Sequence, residues 1–152
     1  MSQPNHANTL EIFIKPWQEA SQAAYFIRKQ VFIQEQGVPE HMELDGFDPT
    51  SKHALAYMGA LCVGTGRLIY LDNHHGQIGR MAVLSAFRNR GIGKAILSCL
   101  ITLAKAEGVL TLTLHSQVSA IPFYAKFGFI AEGAVYDEAG ISHRNMILLL
   151  PE

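Results

Sequence analysis

IGRMAVLSAFRNRGIGKAIL, residues Ile78 to Leu97, changes character twice along its length. It opens on an apolar run, Met81 to Leu84, which reads as the end of a strand. A polar, doubly basic turn follows, Ser85 to Arg90, and a helical pattern starts at Gly91. A strand handed to a helix through such a turn is a candidate anion site. The first backbone N–H groups of a helix lack intrahelical acceptors, and the helix dipole adds partial positive charge there. Gly91 and Gly93 would let a phosphate approach the backbone, and Arg88 and Arg90 carry permanent charges. Two common phosphate motifs fail. A Walker A loop requires glycine at position 88 and Ser or Thr at 95, where Arg88 and Ala95 stand. A dinucleotide fingerprint requires glycine at 96, which is Ile96. An ordinary glycine-containing helix entrance with solvated arginines remains the plain alternative.

Bulk properties narrow the class. The chain has 152 residues, enough for one domain with one core, residues 1–152. It is 49% hydrophobic and 16% charged, a globular and not a disordered balance. A net charge of −1 with no basic run outside the turn argues against nucleic acid as a partner. No segment approaches the ~20 apolar residues of a membrane helix. The start, MSQPNHANTL, has neither the charged nor the apolar region of a signal peptide, so a cytoplasmic protein without membrane association is expected. Cys62 and Cys99 lack metal spacing and are expected as reduced thiols. His74 and His75 are adjacent, and no HExxH or Cys/His pattern occurs, so no metal is expected.

Working outward, residues 1–8 read as a loose polar tail. Leu10 to Lys15 reads as a strand, and Pro16 ends it and can open a helix running to about Gln34. Residues 36–50 form a loop carrying Glu40, Glu43, Asp45 and Asp48. Either these are solvated, or they form a collar that attracts a cationic amine. His53–Met58 and Leu61–Leu71 read as strands across a Gly59-Ala60 turn, with Gly64 and Gly66 marking a bulge or close packing. Asp72 to Gly76 is a turn. Beyond the central stretch, the helix runs to Glu107 with Gly108 as its cap, and Val109–His115 is a strand. Ser119 is an N-cap candidate for a short helix, Ala120 to Phe127. Phe129 begins a further strand, Tyr136–Gly140 is a turn, and Ser142–Leu150 is the last strand. The order is β-α-β-β-β-α-β-α-β-β.

Arg88-Asn89-Arg90-Gly91-Ile92-Gly93 resembles the R/Q-x-x-G-x-G/A signature of the GNAT superfamily of N-acetyltransferases. Gln117-Val-Ser-Ala120-Ile-Pro-Phe123-Tyr124-Ala-Lys-Phe-Gly128-Phe129 resembles that family's N-x-x-A-x-x-F/Y-Y-x-K-x-G-F segment, with Gln117 in place of the usual Asn. The element order agrees over essentially the whole chain. Arg28-x-x-Val31-Phe32-x-x-Glu35-Gln36, Glu43-Leu-Asp45 and Glu138-Ala-Gly140-Ile-Ser-His143-Arg144-x-Met146 further resemble the ElaA-like branch. The resemblance implies an α/β fold with a central, mixed, mostly antiparallel sheet of six to seven strands and about four flanking helices. It implies acetyl-CoA as co-substrate, acetyl transfer to the primary amine of a small molecule or peptide in a ternary complex, and a monomer or homodimer. Met81, Ala82 and Val83 would pair with the pantetheine arm. Arg88, Asn89, Arg90, Gly91, Ile92, Gly93 and Lys94 would hold the pyrophosphate, with Gln117 and Phe123 as further cofactor contacts. Tyr124 would protonate the leaving thiolate.

The chemistry can be argued from the groups. Attack of a neutral amine on a thioester places negative charge on the carbonyl oxygen, which free backbone N–H groups of a splayed strand can stabilise. A thiol pKa near ~8.5 and a phenol near ~10 make tyrosine a workable proton donor. Many relatives carry a Glu on the central strand as base, but Gln77 to Leu84 has no carboxylate. Glu35, Glu43, Asp45, His53 and His115 remain as candidates for the base. Glu35, Glu43, Asp45, His115 and His143 are the expected substrate contacts. A non-catalytic acyl-CoA-binding or regulatory module on the same fold is the second reading. A nucleotide-binding protein is disfavoured by the failed motifs.

Overall fold

A computed structural model describes residues 9–151; the tail expected at 1–8 lies outside them. Seven strands form one sheet: β1 Leu10–Pro16, β2 Lys52–Met58, β3 Leu61–Tyr70, β4 His75–Val83, β5 Thr111–Gln117, β6 Ile130–Glu138 and β7 Ile141–Leu149. Their spatial order is β1-β2-β3-β4-β5-β7-β6, and every neighbouring pair is antiparallel except β4–β5. The helices are α1 Trp17–Arg28, α2 Glu40–Glu43, α3 Ile92–Ala106 and α4 Ile121–Ala125. The mixed, mostly antiparallel sheet with about four helices is as the sequence implied.

Strand alternation decides which helix covers which face. On β2, Ala54 and Ala56 face α3 and its buried row Ile92, Ile96, Leu97, Leu100 and Ala104. Leu55, between them, points the other way and packs on Ala20 and Ala24 of α1. The glycines in β3 serve the α3 contact. A Cβ on Gly66 would lie 2.6 Å from Met81 Sδ and 2.8 Å from Ile96 Cγ2, so only glycine lets the helix sit this close.

Several boundaries differ from the sequence reading, and each has a tertiary cause. The first helix does not run on as one α-helix. It passes into π-helical turns, Lys29–Glu35, in which the Gln36 N–H bonds to the Val31 carbonyl. β4 starts at His75 because Gly76 pairs with both Tyr70 and Leu112. β5 is shifted two residues later, to Thr111–Gln117, by its pairing with β7. Ser119 is not an N-cap: a 3-10 turn, Val118–Ala120, precedes α4, whose cap residue is Ala120 without a side-chain hydrogen bond. Tyr136 to Glu138 is strand and not turn, because Tyr136, Asp137 and Glu138 pair with His143, Ser142 and Ile141. Only Ala139 and Gly140 make the turn.

Of the four acidic residues of the loop, Glu40 is exposed and accepts from the Tyr25 hydroxyl, while the other three are neither solvated nor an open collar. Glu43 and Asp48 are buried and bonded to Arg28, itself 1% exposed. Arg67 reaches both Asp45 and Asp48, and Arg80 reaches Asp45. Three guanidinium groups thus face three carboxylates. Burial alone would raise the Asp48 pKa, but hydrogen bonds and charge from Arg28 and Arg67 outweigh it and hold Asp48 below the usual range. Asp45 is held low in the same way, chiefly by Arg67. His53, proposed from sequence as a base, belongs to this cluster. Its Nε2 lies 3.0 Å from the Asp48 carbonyl, and burial lowers its pKa so that it stays neutral.

Candidate active site

The site begins where β4 and β5 part. They pair in parallel only from His75–Ile78 to Thr111–Leu114. On its other edge β4 stays paired with β3, but one extra residue is inserted between Gly79 and Ala82 opposite Thr65–Arg67. Arg80 lies at this bulge with φ 51°. A left-handed non-glycine residue costs about 1–3 kcal/mol. Arg80 offsets this by donating to the Glu43 carbonyl at 2.8 Å and to Asp45 at 3.1 Å. The bulge turns β4 away from β5. From Gly79 to Val83 the β5-facing backbone edge therefore has no ladder partner, which leaves N–H groups for a carbonyl oxygen.

Two cavities open from this parting. One, about 440 Å³, lies between the acidic loop, the start of the splay and the β6–β7 hairpin. The other, about 680 Å³, lies between the end of β4, the turn before α3 and α4. Met81, Ala120 and Tyr124 line both. Tyr124 is half-buried, and its hydroxyl makes no hydrogen bond to the described residues. Burial pushes its pKa up to about 12, so the phenol keeps its proton at neutral pH.

The larger cavity suits a phosphate-bearing ligand with an apolar arm. Gly91 caps α3 at φ 78°, and the first helical bond runs from the Ala95 N–H to the Gly91 carbonyl. The N–H groups of Ile92, Gly93 and Lys94 therefore lack helical acceptors at the cavity wall. A Cβ at Gly91 would meet nothing within 4 Å, so the cradle is open there. Lys94 and Lys126 supply charge, and Phe87, Phe123 and Phe127 supply apolar wall.

Comparison with known proteins fixes what this frame is. The Acetyltransferase (GNAT) domain model matches residues 17–150. The chain belongs to the GNAT acetyltransferase family. It is 34% identical over 131 residues to the uncharacterized N-acetyltransferase YjcF of Bacillus subtilis, covering 86% of this chain and 93% of that one. Escherichia coli ElaA superposes with a TM-score of 0.82 at 26% identity, over 91% of this chain and 99% of that one. An acyl-CoA N-acyltransferase from Pseudomonas aeruginosa matches equally well, with TM-score 0.82, 26% identity and the same coverage, 91% and 99%. The protein is thus an acetyl-CoA-dependent N-acetyltransferase by family.

In this acetyltransferase the residues singled out from sequence fall into three groups. Met81, Ala82, Val83, Arg88, Asn89, Gly91, Ile92, Gly93, Lys94 and Phe123 all line the larger cavity. Arg90 does not; its guanidinium stacks 5.2 Å over the Phe87 ring. Gln117 lines the smaller cavity instead and donates to Gln36 at 2.8 Å. Arg88 is not a free charge. It donates to the Val83 carbonyl and grips Glu35 in two hydrogen bonds of 2.6 and 2.7 Å. Glu35 lines neither cavity, because Arg88 holds it at the turn. Its charge neutralises Arg88 and fixes the end of β4 to the π-helical turns.

Glu43, Asp45, His115 and His143 do line the smaller cavity. The charges of Glu43 and Asp45 are matched by the arginines described above. Glu43 Oε2 and Arg67 Nε nevertheless lack hydrogen-bond partners among the described residues, leaving one acceptor and one donor at this wall. Arg67, Arg80, Lys126 and Glu138 were not foreseen as site residues. A motif reading could have flagged Lys126 and Glu138, which stand inside the quoted family segments. Nothing local to Arg67 or Arg80 points to a cleft.

The glycines of the turn give a direct test. Gly93 lies in the first turn of α3, where an added Cβ would sit 3.6 Å from Phe123 and 3.8 Å from Val83. Gly93→Val should keep the helix and fill the cavity floor with its branches. Acetyl-CoA binding is expected to weaken about tenfold or more, roughly 1.4 kcal/mol. Gly91→Val should weaken binding as well, and should also lower stability, because valine is strained at positive φ. Titration calorimetry with circular dichroism separates the two. Unchanged affinity in Gly93→Val would remove the phosphate-cradle assignment.

Proposed function

We propose that this protein transfers the acetyl group of acetyl-CoA to the primary amine of a small molecule or peptide by direct attack within a ternary complex. The observation that carries the reading is the junction of the two cavities. They meet at Met81, Ala120 and Tyr124, beside the unpaired edge of β4. Acetyl-CoA supplies an activated thioester. The α3 N-terminus and Lys94 hold its phosphates, and Val83 to Met81 guide its arm toward the junction. An amine in the smaller cavity then stands across Tyr124 from the thioester, and no covalent acyl-enzyme is required. The free N–H groups of the β4 edge receive the developing oxyanion, and the Tyr124 hydroxyl gives its proton to the departing thiolate. A volume of about 440 Å³ suits a small-molecule amine or the end of a peptide side chain.

The expected result is thermal stabilisation by the co-substrate. A ligand at a hundredfold excess over its Kd adds about 2.7 kcal/mol, roughly 5–10 °C in Tm for a chain of this size. Differential scanning fluorimetry with acetyl-CoA, followed by thiol-release assays over an amine library, checks both halves. An unmoved Tm would overturn acyl-CoA binding. A raised Tm with no acetylated amine would support a binding module instead.

A further inference from the structure

The smaller cavity is lined by three carboxylates: Glu43, Asp45 and Glu138. Two of them are neutralised by guanidinium groups within the buried cluster. Glu138 has no Arg or Lys partner among the described residues. Its neighbours are two imidazoles. His115 Nδ1 lies 3.5 Å from Glu138 Oε1, and His143 Nε2 lies 3.5 Å from Oε2. The sheet brings these together from three strands: Gln117 of β5 opposes His143 of β7, which opposes Tyr136 of β6. Residues two apart share a face, so His115, His143, Tyr136 and Glu138 point the same way. The Tyr136 ring stacks on His143 at 6.0 Å and meets His115 edge-on at 6.2 Å. His143 is 7% exposed, and its Nδ1 lies 2.7 Å from the Ile141 carbonyl. A carbonyl only accepts, so Nδ1 carries a hydrogen and Nε2 is the atom turned to Glu138. The other charged side chains of this cavity, Arg67 and Arg80 with Glu43 and Asp45, are engaged with one another.

We propose that Glu138, held between His115 and His143, receives the ammonium of the acceptor and takes its proton as the general base of the transfer. The inference rests on the acetyl-transfer reading above. It fills the place left by a central strand, Gln77 to Leu84, that has no carboxylate. An ammonium R–NH3⁺ loses one proton to the Glu138–imidazole group, and half-exposed His115 passes it to water. The freed nitrogen lone pair forms the C–N bond as the C–S bond breaks. Tyr124 gives its proton to sulfur and regains one from the acylated nitrogen. The net products are an amide, a thiol and one released proton. The acceptor class that follows is a cationic primary amine, whose charge Glu138 attracts before deprotonating it.

The test uses the full chain, acetyl-CoA, and primary amines running from strongly basic alkylamines to weakly basic anilines. With Glu138→Gln, kcat/KM for alkylamines should fall about 10²-fold or more, as general-base losses do. For anilines, which are already neutral, it should change little. Acetyl-CoA affinity, read by calorimetry, should be unchanged. Glu138→Gly should regain alkylamine turnover when acetate or formate is added. An equal loss across all amines, or no loss with alkylamines, would overturn the proposal while the acetyl-transfer reading stands. Wild-type protein that binds acetyl-CoA yet acetylates no amine would overturn both.

Discussion

Tyr124→Phe is expected to lower kcat about 10²–10⁴-fold, the range for loss of a general acid. The substitution keeps the ring that packs against Phe123 and Phe129 and removes only the hydroxyl. If the hydroxyl helps only as the thiolate departs, kcat and kcat/KM fall together and acetyl-CoA affinity holds. Burial pushes the phenol up to about 12, which keeps it protonated throughout pH 6–9. It also makes the phenol a weaker acid than in water. Burial likewise makes a thiolate more basic, and the tyrosinate left by the transfer is neutralised by a proton from the acylated nitrogen. Steady-state kinetics with an accepted amine decides the matter. A wild-type kcat in Tyr124→Phe across that pH range would make Tyr124 a wall of the junction and no more.

The second large effect is on stability. Arg28→Met should cost about 3–5 kcal/mol, because breaking a buried ion pair from one side leaves uncompensated charge. Arg28 is 1% exposed and binds Glu43 and Asp48 at once while stacking 5.3 Å over Trp17. Methionine replaces the stem but leaves both carboxylates buried. Arg28→Lys should fall between the two, since one ammonium cannot reproduce the fork that spans both partners. Urea unfolding measures the difference. Its pH dependence has a definite sign. Asp45 and Asp48 are depressed in the folded state, so their contribution is present above the unfolded aspartate value near ~3.9 and is lost as pH falls below it. The gap between wild type and Arg28→Met should therefore narrow in acid. A gap that widens below pH ~4 would contradict the role assigned to this cluster.

The larger cavity was legible in the sequence because its signals are local. Gly91 and Gly93 sit in one turn, and a turn followed by an apolar row at helical spacing, Ile92, Ile96, Leu97 and Leu100, builds its own geometry. Tyr124 lies within a short segment whose spacing is likewise self-contained. The strand and helix order followed from periods of two and 3.6, read against Gly and Pro. The same local reading put Arg90 in the cavity lining and took Arg88 for a free charge. A sequence shows that an arginine is present but not that Glu35, 53 residues away, already holds it.

The smaller cavity was decided by tertiary structure. Glu40 to Asp48 has the composition of a solvated loop. Its Glu43 and Asp48 become interior because Arg28 of α1, Arg67 of β3 and Arg80 of β4 meet the carboxylates of Glu43, Asp45 and Asp48, and buried charge is stable only when so matched. Tyr136 to Glu138 has the composition of a turn. It is strand because β7 supplies the ladder, and that register sets Glu138 beside His143 and, across β7, His115. The parting of β4 from β5 has no local signature either. It follows from one extra residue at Arg80, visible only once β3 is laid alongside. Periodicity and short motifs fixed the order of the elements and the glycine-containing turn before α3. Which charges are spent on one another, and which carboxylate of the smaller cavity is left without a guanidinium, depended on partners brought together only by the folded sheet.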